Sequence, residues 1–126
     1  MPYPSYTVTF DVSQLGQRER ALARMMPSVI DPMLREMSRR AASLLQGDAI
    51  VRRIRRTGAY IRGWRSTRIG PRRYQATSHV AHAKYVESYH GVVTAPHNQD
   101  RLRRMVHEVA ERHIDAAIRR AFRGGR

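Results

Sequence analysis

With 126 residues and 41% apolar content, the chain can bury one modest core and is too apolar to be disordered throughout. It contains no cysteine, which excludes a disulfide scaffold, thiolate catalysis and any cysteine-based zinc site. Its formal charge is +14, and most of it lies in the middle of the chain, which is therefore expected to meet something acidic: nucleic acid, an anionic protein surface or a lipid headgroup layer. Residues 1–126 are expected to form a single domain. The start, Met1-Pro2-Tyr3-Pro4, lacks the basic stretch and apolar run of a signal peptide. No segment approaches the ~20 apolar residues of a membrane span. Residence in a cytosol-like compartment, or in an assembly built there, is therefore expected, without a membrane partner.

The first predicted element is a strand over 5–12. Tyr6, Val8, Phe10 and Val12 alternate with Thr7, Thr9 and Asp11, the period of a half-buried strand. Ser13 is placed to cap a following helix. Over 15–46, Leu22, Met26, Val29, Ile30, Met33, Met37, Ala41 and Leu44 recur at the spacing of one helical face. Pro27 and Pro32 interrupt this face, and Asp31-Pro32 fits an N-cap followed by a first-turn proline. Two helical pieces or one kinked helix, ending at Gly47, are predicted. Met25, Met26, Met33 and Met37 make the face adaptable, and core filling is preferred to a partner groove.

A basic connection over 48–58 leads into strands over 59–80, carried by Tyr60, Ile61, Trp64, Ile69, Tyr74 and Val80, with Gly70-Pro71 as the hairpin turn. Arginines alternate with these residues, which suggests a sheet with one apolar and one cationic face. The aromatics read as core residues in preference to a base-stacking platform. Between Asp48 and Glu87 there is no acid, while Arg52, Arg53, Arg55, Arg56, Arg62, Arg65, Arg68, Arg72, Arg73 and Lys84 fall in that gap. The flanks are nearly balanced, so the charge is concentrated in the middle of the chain. Of 24 cations, 23 are arginine, whose planar fork suits carboxylate and phosphate; a biased genome composition explains the same preference equally well. Arg52, Arg53, Arg55, Arg56, Arg62, Arg65, Arg72 and Arg73 form the candidate anion-facing surface.

A short piece over 81–89 places Ala83, Tyr85, Val86 and Tyr89 in helix-like spacing, ends at Gly91, and gives way to a loop over 92–97. Asn98 then caps a helix over 99–122. Leu102, Val106, Val109, Ala110, Ile114, Ala117, Ile118 and Ala121 share its apolar face; Arg104, Glu108, Glu111, Arg112, Asp115 and Arg119 share the polar one. Glu108–Arg112 and Asp115–Arg119 have the spacing of favourable pairs within a helix. The fold class expected is α+β: a small, mainly antiparallel sheet from 5–12 and from the 59–80 strands of the basic 52–80 segment, covered by the 15–46 and 99–122 helices.

Catalytic chemistry is sparse. His79 and His82 lack the turn-related spacing and acidic partner of a zinc-protease helix, and His107 and His113 lie about 120° apart on their helix. His113 reads as a core or interface histidine in preference to a ligand. There is no nucleophile elbow, phosphate loop, dinucleotide turn or close carboxylate pair. A protein without enzymatic activity, cofactor or metal is expected.

The order of these features resembles the neck and tail-completion proteins of long-tailed phages, the Z-type group of siphophages. A TG-x-L-R segment of that family is similar to Thr57-Gly58-Ala59-Tyr60-Ile61-Arg62. A Y-x-x-Y-V-E-x-G segment is similar to His82-Ala83-Lys84-Tyr85-Val86-Glu87, with the glycine displaced to Gly91, and Pro96 matches part of a P-x-x-P-F stretch. The resemblance implies a structural subunit of the head–tail junction, forming a homo-oligomeric ring within the virion. Its partners would be other neck, portal-connector and tail-tube proteins, with possible contact to packaged DNA. Thr57, Gly58, Tyr85, Glu87 and Gly91 are the motif positions. Glu87 either pairs with an arginine or is a solvated surface residue. A tail-terminator or head-closure subunit of the same machine, and a free nucleic-acid-binding protein, remain alternative roles.

Overall fold

The computed structural model describes residues 6–51, 64–78 and 96–124. Alternation produces the first strand, β1 (Tyr6–Phe10), as expected. The hairpin supplies β2 (Trp64–Gly70) and β3 (Arg73–Ser78). The three form an antiparallel sheet of order β1-β3-β2, with Phe10 opposite Tyr74 and Tyr74 opposite Arg68. Pairing puts Phe10, Trp64, Tyr74 and Ala76 on one buried face, so the aromatics Trp64 and Tyr74 are core residues. Among the described residues the opposite face carries Thr7, Thr9, Thr67, Gln75 and Thr77, with Arg65 and Arg73 as its cations. Threonine outnumbers arginine there, so the described part of the face is less cationic than expected. Arg68, Arg72 and Arg73 sit at the hairpin end, where the register gathers them into a tip. Ile69, expected in the core, is 44% exposed beside the irregularity between Arg68 and Gly70.

Between β1 and the helices, Asp11 takes the capping role predicted for Ser13. Its carboxylate accepts the Ser13 N–H at 2.8 Å, and Gln14 Oε1 accepts the Asp11 N–H at 2.7 Å, around a single 3₁₀ turn over Val12–Gln14. Gly16 precedes helix α1 (Gln17–Met25) and donates its N–H to Glu19 Oε2 at 3.0 Å. The chain breaks at Met26, makes a 3₁₀ turn over Pro27–Val29 and continues as α2 (Ile30–Val51). Of the two pieces or one kinked helix expected, the chain forms two pieces, broken at Pro27; Pro32 falls, as expected, in the first turn of α2, where no helical N–H is required. Asp31 is thus inside α2 and does not cap it. Gly47 does not end α2 either, and 48–51 are helical, because a glycine weakens a helix interior by only about 1 kcal/mol.

Helix α3 (Pro96–Gly124) begins earlier than expected. Proline is pre-set for the first helical turn, so Asn98 lies within the helix, fully buried, instead of capping it. Leu102, Val106, Val109, Ala110, Ile114 and Ala117 bury as the spacing predicts, joined by Met105, whereas Ala121 is exposed. In α2, Met33, Leu34, Met37, Ala41 and Leu45 are fully buried; Met25 of α1 is 78% exposed. Helix α2 packs on all three strands and on α3, while the main contacts of α3 are with α2 and α1. The architecture is α+β, but α2 covers the sheet and α3 rests chiefly on the helices. No helix of the described residues is long and apolar enough to cross a membrane.

Candidate functional site

Of the arginine tract, Arg65, Arg68, Arg72 and Arg73 are described. Arg52, Arg53, Arg55, Arg56 and Arg62 lie outside the described residues. So do Thr57, Gly58, Tyr85, Glu87 and Gly91, the strand positions 59–63 and Val80, and the helix-like piece over 81–89.

The hairpin turn is Pro71-Arg72. Proline at its first central position fixes φ, and Arg72 at the second has φ 55°, the left-handed region. That position ordinarily favours glycine or asparagine, so an arginine there is held against a backbone preference of about 1–2 kcal/mol. Gly70, the residue expected in the turn, ends β2. A strained position occupied by a long cation points to use of the cation.

Arg72 does not stand alone. With Arg20 and Arg24 of α1 it lines a hollow of about 120 Å³, whose other walls are Val12, Ala23 and Ile30. Arg20 and Arg24 are four apart on α1 and so share a helical face. Among the described residues none of the three guanidinium groups has a hydrogen bond or an acidic partner. The sequence reading missed Arg20 and Arg24 because charge was counted along the chain, where 1–48 is nearly balanced. The fold brings these two beside a turn some 50 positions away.

The rest of the tip is anchored. Arg68 lies 3.9 Å from Asp31, whose Oδ1 also accepts the Tyr74 hydroxyl at 3.2 Å. The guanidinium of Arg35 sits 5.9 Å from the centre of the Tyr74 ring, a cation–π distance. Arg73 lies near Asp11. Hydrogen bonds from Ser13 hold the Asp11 carboxyl below its ordinary range, and the positive charge of Arg73 adds to this. Arg65 donates to the Trp64 carbonyl at 3.1 Å. The described part of the tract is thus divided between Arg65, Arg68 and Arg73, which have partners within the fold, and Arg72, which faces the hollow.

Some arginines elsewhere pair within the fold. Arg112 of α3 bonds Glu36 of α2, and Glu36 Oε1 also lies 2.9 Å from His113 Nε2. Arg40 lies 3.8 Å from both Glu36 and Glu108. The predicted Glu108–Arg112 pairing within α3 is replaced by these contacts between helices. His113 is an interface histidine, as read from the sequence. Burial first, then the charges of Arg112 and Arg120, push its imidazole below the ordinary value of 6.5. Neutral His113 can donate Nε2–H to a carboxylate already engaged by Arg112.

One group of side chains among the described residues could hold a metal ion: Glu19, His107 and Glu111. It lies between α1 and α3 and shares no member with the arginine hollow. Comparison with protein-family models, with characterised proteins and with solved structures finds no match to this chain.

Proposed function

We propose that the protein is a non-enzymatic structural subunit of the head–tail junction of a long-tailed phage or phage-like particle. It would act as a homo-oligomeric neck or tail-completion ring within the virion, with neighbouring neck, portal-connector and tail proteins as partners. The observation that carries this reading is the hollow lined by Arg20, Arg24 and Arg72, with an apolar floor and no acidic partner among the described residues. Guanidinium forks around apolar side chains suit a protein surface that offers carboxylates beside an apolar residue. The strand–helix–helix–hairpin–helix order agrees with the family resemblance of the sequence. Deletion of the gene should leave filled heads and separate tails, and supplying the protein should rejoin them. Infectious particles assembled without it would refute the reading.

The concentrated charge of the tract favours a second role, nucleic-acid binding. Its signature would be affinity for duplex DNA that falls steeply with salt, whether or not the apolar floor is intact.

A further inference from the structure

On the side of α1 that meets α3, Glu19 is held by the Gly16 N–H on Oε2, which leaves Oε1 3.0 Å from His107 Nδ1. The other ring nitrogen, His107 Nε2, lies 3.6 Å from Glu111 Oε1. Donor atoms of all three residues fall within 4.8 Å of one another. Asp31, Glu36, Asp100 and Glu108 each have an arginine within ion-pair distance. Among the described residues, Glu19 and Glu111 pair only with His107.

We propose that His107 and Glu111 bind a divalent transition-metal ion of the zinc or nickel class, with Glu19 as the positioning residue. The Glu19 carboxylate beside Nδ1 favours the proton on that nitrogen and leaves Nε2 with the free lone pair, the usual support of a metal-bound histidine. His107 and Glu111 are four apart and so project from one face of α3. Zinc binds histidine nitrogen and carboxylate oxygen at about 2.0–2.2 Å, and two such ligands in tetrahedral array lie about 3.4 Å apart. The observed 3.6 Å needs little adjustment. An imidazole with a carboxylate suits zinc or nickel better than calcium or magnesium, which prefer all-oxygen sites. The side chains of His107 and Glu111 are 66% and 49% exposed, which leaves room for water or a neighbouring subunit's donor to complete the coordination.

The test is titration of the full chain with zinc chloride, read by calorimetry and by the imidazole nitrogen resonances. One saturable event that shifts His107 Nε2 is expected. Both His107→Ala and Glu111→Gln should weaken it at least tenfold. Glu19→Ala should weaken it by about tenfold and, without metal, move His107 toward the Nε2–H tautomer. A merely structural Glu19 would leave the tautomer unchanged. Zinc affinity retained by both His107→Ala and Glu111→Gln, binding at another histidine, or no saturable binding would overturn the proposal.

Discussion

The α2–α3 seam and the hairpin tip use arginine in opposite ways. At the seam, Arg112 and Arg40 meet Glu36 and Glu108, so the charges are balanced within the molecule. At the tip, Arg20, Arg24 and Arg72 surround apolar side chains without an acid to balance them among the described residues. Even the backbone differs: the seam is regular helix, whereas Arg72 occupies a left-handed turn position. The contrast separates arginines engaged by acids of the fold from three that gather around one apolar hollow, the surface proposed to meet a partner. Damage at the seam should therefore appear as lost stability. Damage at the tip should appear as lost association.

The largest effect should come from the core beneath the seam. Leu34 is fully buried in α2, and Leu34→Ala is expected to lower stability by about 3 kcal/mol, visible as a large fall in the urea midpoint. Next is Glu36→Ala, which leaves Arg112 and His113 without their shared acceptor. Because these groups are partly exposed, a loss of only about 1 kcal/mol is expected. Gly47→Ala should act in the opposite direction. An added Cβ meets nothing within 4 Å in the helix interior, so a gain of roughly 0.5–1 kcal/mol is expected in thermal unfolding.

The pH dependence should be small and should belong to the seam. The unfolded state protonates His113 near 6.5, and the folded state resists protonation because its value is lowered. The unfolded chain therefore binds more protons, and stability must fall as pH drops below 6.5 toward the folded value. Replacing His113 with Gln should flatten the curve in that window; an unchanged slope would show that another group sets it. Smallest of all is the stability effect of Arg72→Gly. Relief of the left-handed strain is offset by the greater freedom of glycine in the unfolded chain, so a change within about 1 kcal/mol is expected, with weaker particle joining.

Much of the fold was legible because it rests on local periodicity. The alternation of Tyr6, Val8 and Phe10 gave the strand, and the stripe from Leu102 to Ala117 gave the long helix. Boundaries were harder to read. Asp31, Asn98 and Gly47 all have the chemistry of helix ends, yet each lies within a helix. Packing of Ile30, Met33 and their neighbours outweighs a local end signal of about 1 kcal/mol. The site was legible only in part. The tract located Arg72, and its concentration suggested a surface, but alternation implied a cationic sheet face on which the described strands place only Arg65 and Arg73 among threonines. Arg20 and Arg24 could not be found by reading along the chain, since their role depends on α1 passing beside the turn. The meeting of Glu19 with His107 is likewise a product of helix packing; only the four-residue spacing of His107 and Glu111 was there to be read.

The central claim is that the arginine-lined tip joins this protein to its neighbours. The direct measurement is head–tail joining by the double variant Arg24→Glu with Arg72→Glu, alongside its helix content and melting temperature. Both side chains are exposed, so the variant should fold and melt like the wild type. It should nevertheless leave heads and tails apart. A folded double variant that joins them as efficiently as the wild type would contradict the claim.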